Sequence, residues 1–109
     1  MKYSMFGLVA FLAVSQPAYA SDQGFGYITK IEQTGSRFFI YMDAARTTRP
    51  ACDCCNRWEI DAGSSGNAEQ SMIAIALTTY AARRQIKVFG TGGCSTTDTE
   101  RINLIQTAN

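Results

Sequence analysis

The chain has no histidine. That absence removes the side chain most used as a general base, every Ser-His-Asp or Cys-His arrangement, and every zinc site that needs an imidazole. Basic clusters are also missing. Once Lys2 is set aside with the leader described below, nine Lys+Arg face nine Asp+Glu, and no basic run is longer than Arg83-Arg84. Nucleic-acid binding rests on phosphate neutralisation by a basic surface, so that partner class is set aside. Beyond the first twenty residues there is no apolar run near the roughly 20 residues that a membrane-spanning helix requires, so no membrane insertion is expected.

What is present begins with the leader, MKYSMFGLVAFLAVSQPAYA. Lys2 is its only charge, a short apolar run follows over 5–14, and the stretch ends Ala18-Tyr19-Ala20. A positive start, a short apolar core and a small-x-small ending describe a secretory signal peptide over 1–20. The expected product is one small exported domain over 21–109, periplasmic or secreted.

Export decides how the four cysteines are read. Cys52, Cys54, Cys55 and Cys94 form an even set in a short chain bound for an oxidising compartment, which points to disulfides. A bridge from the cluster at 52–55 to Cys94 is expected, with Cys52–Cys94 favoured. Cys54 and Cys55 stay open between a vicinal bridge, two thiols, and a link between chains. Adjacent cysteines meet disulfide geometry with difficulty. A Cys₄ zinc site would need two well-spaced knuckles, and a thioredoxin-like centre would need C-x-x-C at a helix start. C-D-C-C with one distant cysteine supplies neither. No metal and no cofactor is expected.

Alternation and turn residues predict strands over 26–33, 37–43, 57–61, 85–90 and 101–107. Residues 21–24 read as loose, and 91–100 as a Gly/Ser/Thr loop. In 37–43, Phe38, Ile40 and Met42 share one face while Phe39 and Tyr41 share the other. Trp58 and Ile60 alternate with Arg57, Glu59 and Asp61. Ile102 and Leu104 share one side of the last strand. A helix is predicted over 68–83, with Asn67 as N-cap, Gln70 at the capping-box position, an apolar stripe of Met72, Ile73, Ala76, Leu77 and Tyr80, and Arg83 and Arg84 in the last turn. Ile75 lies off that stripe, so more than one face of the helix is apolar. The order β-β-β-α-β-β predicts a mainly β fold with one helix, an OB-fold: a five-stranded Greek-key barrel plugged by that helix. An αβ sandwich of the same elements is the alternative.

The hairpin GYITKIEQTGSRFFIYM, the segment RWEID and the tail VFGTGGCSTTDTERINLI resemble the receptor-binding B subunit of subtilase-type cytotoxins, relatives of the B subunits of pentameric A-B toxins. The resemblance implies an OB-fold, a homopentameric ring, a catalytic A subunit as partner, recognition of cell-surface glycans on the barrel side, and a disulfide to Cys94. Phe25 stands where the family presents a serine used for sialylated glycans.

Sugar sites combine an aromatic face with directional hydrogen bonds. Phe25, Tyr27, Phe39 and Tyr41 could supply the face; Thr96, Thr97 and Asp98 could supply the hydrogen bonds. The carboxylate pairs Glu59/Asp61 and Asp98/Glu100 read as solvated charge rather than as an acid-base couple. The expected function is a non-enzymatic glycan-binding subunit of a toxin-like oligomer. The alternative is a periplasmic structural or protein-interaction module of the same fold with no sugar site.

Overall fold

A computed structural model describes residues 21–46, 48–94 and 98–108. The expected signal peptide at 1–20 and the candidate residues Thr96 and Thr97 lie outside them. The elements run β1 (Asp22–Gly26), β2 (Ile28–Thr34), β3 (Arg37–Met42), β4 (Trp58–Asp61), α1 (Asn67–Ala82), β5 (Ile86–Cys94) and β6 (Glu100–Thr107). The fold is mainly β with one helix. Its strands form a single curled sheet, a half-barrel in the order β1-β5-β6-β4-β3-β2.

The strand count is six where the sequence suggests five. The polar segment read as loose is β1, which pairs antiparallel with β5 through Asp22–Phe89, Gln23–Val88 and Gly26–Ile86. Polarity hid it because its one deeply buried side chain is Gln23, which hydrogen-bonds inward instead of packing apolar surface. β1 and β2 occupy opposite borders of the sheet yet are separated in the chain only by Tyr27. A Cβ on Gly26 would come within 2.7 Å of both Ala44 Cβ and Asp43 Oδ1, so only glycine allows the chain to bend so close there.

β2 and β3 form the expected hairpin, with Thr34 opposite Arg37 and Gly35 in the left-handed region at φ +58°. β3 pairs with β4 antiparallel, and β4 pairs with β6 in parallel. A parallel neighbour requires a crossover, and α1 with β5 provides it. β5 runs on through Thr91-Gly92-Gly93-Cys94, the start of the segment read as a loop, where Gly92 takes φ +88°.

Inward side chains alternate as period 2 demands. Ile28, Phe38, Ile40, Met42, Trp58, Ile60, Ile86, Val88, Ile102 and Ile105 form the core with Ala76 of α1. Each large apolar side chain so buried contributes roughly 1.5–3 kcal/mol before the entropy of ordering is charged against it. In β6 the phase changes: Leu104 pairs with Phe89 and Ile102 with Gly90, so one extra residue bulges between them. Ile105 therefore points inward, and Leu104 is only half-buried, not Ile102's partner on one face.

α1 covers the core with Met72, Ile73, Ile75, Ala76 and Thr79. Leu77 and Tyr80, expected on the buried stripe, remain 48% and 41% exposed. Thr79 takes the inward place because its hydroxyl donates to the Ile75 carbonyl at 2.7 Å, which lets a polar residue be buried. The N-cap is Gly66, with no side-chain cap, and Asn67 is already helical. Ser64 organises this end: its hydroxyl accepts from the Gly66 N–H at 3.0 Å and donates to Glu69 Oε1 at 3.3 Å. Arg83 is the C-cap, at φ 57° and ψ 50°, rather than a last-turn residue.

Cys52 and Cys94 are bridged, with S–S 2.00 Å, across 42 positions. On the chain-entropy model a loop of that length stabilises the fold by about 4 kcal/mol. Cys54 and Cys55 are bridged to each other.

Candidate functional site

The second face of β3 carries the candidate site. Phe39 is 4% exposed but lies outside the apolar core. Two guanidinium groups lie over its ring: Arg57 at 3.9 Å from the centroid and Arg37 at 4.6 Å. Period 2 puts Arg37, Phe39 and Tyr41 on one side of β3. Pairing sets Glu59 of β4 opposite Phe39, where its Oε1 accepts from Arg37 Nη2 at 2.7 Å and Nε at 3.1 Å.

Arg57 is the branch point. Its Nε donates to Thr99 Oγ1 at 3.0 Å, Nη1 to the Tyr41 hydroxyl at 3.3 Å, and Nη2 to Asp98 Oδ1 at 3.4 Å. Burial works against its charge, but the Tyr41 and Asp98 contacts outweigh it and hold the guanidinium above its ordinary range. The Tyr41 hydroxyl in turn donates to Glu32 Oε1 at 2.8 Å, and Lys30 lies 3.3 Å from Glu32 Oε2 and 5.0 Å from the Tyr41 ring. The hydrogen bond from Tyr41, then the one from Lys30, lowers the Glu32 carboxyl below the usual range. The result is a ladder of alternating cations and rings, Lys30, Tyr41, Arg57, Phe39 and Arg37, edged by Glu32, Glu59 and Asp98.

Beside this ladder lies an open depression of about 690 Å³ lined by Ala45, Arg46, Thr48, Arg49, Cys54, Cys55 and Asn56. The Cys54 N–H donates to the Asp98 carbonyl at 2.9 Å, which ties the depression's cysteine wall to the ladder's acidic end.

Beneath both sits a buried ion cluster. Arg46 and its partners Asp53 and Glu100 have side chains 3%, 0% and 0% exposed. Arg46 Nη1 donates to Asp53 Oδ2 at 2.9 Å, Nη2 donates to Glu100, and the guanidinium stacks on Trp58 at 3.9 Å. Glu100 also accepts from the Ser21 hydroxyl at 2.5 Å and the Gly92 N–H at 2.8 Å. Asp53 Oδ1 accepts the Glu100 N–H at 3.3 Å. Gln23 accepts the Trp58 Nε1–H at 2.6 Å and donates to the Ala44 carbonyl. Gly90 is required here, because a Cβ would fall on the Glu100 carboxylate and 2.7 Å from Trp58 Cζ3. Glu59 and Glu100, read from sequence as solvated, are therefore buried and ion-paired. A lone sequence does not display the arginine that makes such burial affordable.

The structure distributes the candidate glycan residues unevenly. Tyr41 and Asp98 share Arg57. Phe25, 46% exposed, lies near Lys87 at 5.9 Å; Tyr27, 37% exposed, lies near Arg83 at 5.9 Å. Lys30, Glu32, Arg37 and Arg57 were not singled out from sequence. The available signal was the Arg-x-Phe-x-Tyr alternation of 37–41, which places an arginine and two rings on one strand face.

Fold and site together define a class: a mainly β, one-helix half-barrel tied by a long-range disulfide. Compared with protein-family models, curated proteins and solved structures, the chain matches none.

Proposed function

We propose that this chain is an exported, non-enzymatic binding subunit with an OB-type barrel, whose ladder face recognises a polar ligand of the cell-surface glycan class within a homo-oligomeric, toxin-like assembly. Three features support the barrel reading: the parallel β4–β6 pair, the helix between β4 and β5, and the single bent run of β1 and β2 across both sheet borders. Joining β1 and β2 into one bent strand reduces six strands to the five of that fold.

The observation that carries the functional reading is Arg57. It is stacked on the buried Phe39 ring and held by Tyr41, Thr99 and Asp98, so its charge is fixed in place before any ligand arrives. A preorganised, partly exposed guanidinium beside the half-buried Tyr41 ring suits a hydroxyl-rich ligand, because little side-chain entropy is lost on binding. The resemblance to toxin B subunits points to the same ligand class, to a pentamer and to a catalytic A subunit as partner.

The test is a glycan array probed with the purified chain, alongside native mass measurement. Saturable binding to a restricted set of glycans, lost in Arg57→Ala, is expected. No binding, or binding indifferent to Arg57, overturns the glycan reading.

One observation favours the second reading, a structural or protein-interaction module: Leu77 and Tyr80 leave an apolar helix face exposed. A stable oligomer with a silent array would support it.

A further inference from the structure

The side chains of Cys54 and Cys55 belong to neither the apolar core nor the ladder. Bridged, the two sulfurs are bonded to each other and hold no ion; with a carboxylate oxygen of Asp98 they lie within 4.8 Å of one another, a set that becomes three ligands only once the bridge opens. Cys55 Sγ is 3.8 Å from Asp98 Oδ2. A tetrahedral ion holds thiolate sulfur at about 2.3 Å and carboxylate oxygen at about 2.0–2.2 Å, so two such ligands on one ion stand about 3.6 Å apart. The sulfur–oxygen spacing is thus already close to what a shared ion needs.

The surroundings fit as well. The Cys54 N–H to Asp98 carbonyl bond of 2.9 Å fixes the two loops against each other. Asp53, wholly buried on Arg46, anchors the residue immediately before the pair. The depression beside the pair gives an entry path and space for a fourth, exogenous ligand. Arg57 holds the other Asp98 oxygen at 3.4 Å. Two thiolates, one carboxylate, a divalent ion and that guanidinium sum to zero charge.

We propose that the Cys54–Cys55 bridge is a redox gate on a site for a soft divalent cation. A dithiol reductant opens it. One reductant thiolate attacks the Cys55 sulfur and releases Cys54 as thiolate. The second reductant thiol then closes the reductant's own disulfide and releases Cys55. Two electrons pass to the protein's sulfurs, and the reductant leaves as a cyclic disulfide. The released cysteines take up the two protons that the reductant's thiols lose, and the cation then displaces those protons and binds Cys54, Cys55 and Asp98. Thiolate ligands select zinc or cadmium over magnesium or calcium. Cys52–Cys94 joins strand β5 to a distant loop with a Cα separation of 6.2 Å, inside the ordinary disulfide range, and takes no part in the site.

The full chain is titrated with cadmium alone, before and after treatment with a water-soluble phosphine. Thiolate-to-metal charge-transfer absorption and proton release report binding, and differential alkylation reports which bridge has opened. One equivalent of cadmium, bound only after reduction and with two protons released, is expected. Asp98→Asn should weaken binding by more than the roughly 10–100-fold that loss of an outer-sphere contact costs. Cys54→Ser with Cys55→Ser should abolish it while keeping Cys52–Cys94, so any cadmium bound by that variant measures the other bridge's share. Equal binding before reduction, binding undiminished in either variant, or no binding after the pair is shown to be open would each overturn the proposal.

Discussion

The molecule stacks an arginine on an aromatic ring between carboxylates in two places, and the two behave differently. Arg46 on Trp58 is sealed inside with Asp53 and Glu100. Arg57 on Phe39 keeps part of its guanidinium at the surface, with a side chain 18% exposed. Inside, the low dielectric makes each missing partner costly, so the inner set serves the fold. At the surface, water replaces a lost partner cheaply, so the outer set can be used for recognition without endangering the fold. The same side-chain vocabulary is structural in one place and available in the other, and depth decides which.

The strongest way to break this comparison is to cut the inner set. Glu100→Ala takes one of Arg46's two buried carboxylate partners and removes the acceptor for Ser21 and Gly92. A loss of roughly 3–5 kcal/mol in denaturant unfolding is expected. A loss under 1 kcal/mol would mean that burial does not separate the two sets. Next in size is the bridge: Cys52→Ser with Cys94→Ser should cost about 4 kcal/mol by the same measurement. The outer set is predicted to respond in the opposite sense. Arg57→Ala should lower stability by only about 1–2 kcal/mol, from one ring contact, one partly exposed ion pair and the hydrogen bonds to Thr99 and Tyr41, while eliminating the glycan binding proposed above.

The smallest effect is a titration. Glu32 has a lowered folded-state pKa, so the stabilisation from Tyr41 and Lys30 is present above its ordinary, unfolded value and is lost as pH falls through the lowered one. Carbon-detected NMR should place the Glu32 midpoint below that of a model glutamate, and Tyr41→Phe should move it back up. An unchanged midpoint in that variant would remove Tyr41 as the leading cause.

Much of the framework was legible in the chain. Period-2 alternation located β2, β3 and β4 to within two residues, and the breaker cluster at 62–67 located the start of α1. Three features were not legible, each for a physical reason. β1 has no apolar pattern because Gln23 and Ser21 are buried by hydrogen bonds instead. The end of β5 is glycine-rich because Gly90 must clear Trp58 and Glu100, yet glycines in sequence read as a turn. The outward turn of Leu77 and Tyr80 depends on Thr79 satisfying its hydroxyl on its own helix, which periodicity counts as polar and therefore exposed. For the site, Tyr41 and Asp98 could be named from residue chemistry alone. Their shared partner Arg57 could not, because the meeting of 41, 57 and 98 is a product of strand order.

The bridge between Cys52 and Cys94 spans the breaker segment 62–66, whose residues are half-buried or exposed, as well as the whole of α1. A protease that clips that segment would sever the polypeptide without releasing either piece. Nicked molecules would migrate as intact chains until a reducing agent parted them, so damage of this kind would accumulate silently in an oxidising milieu.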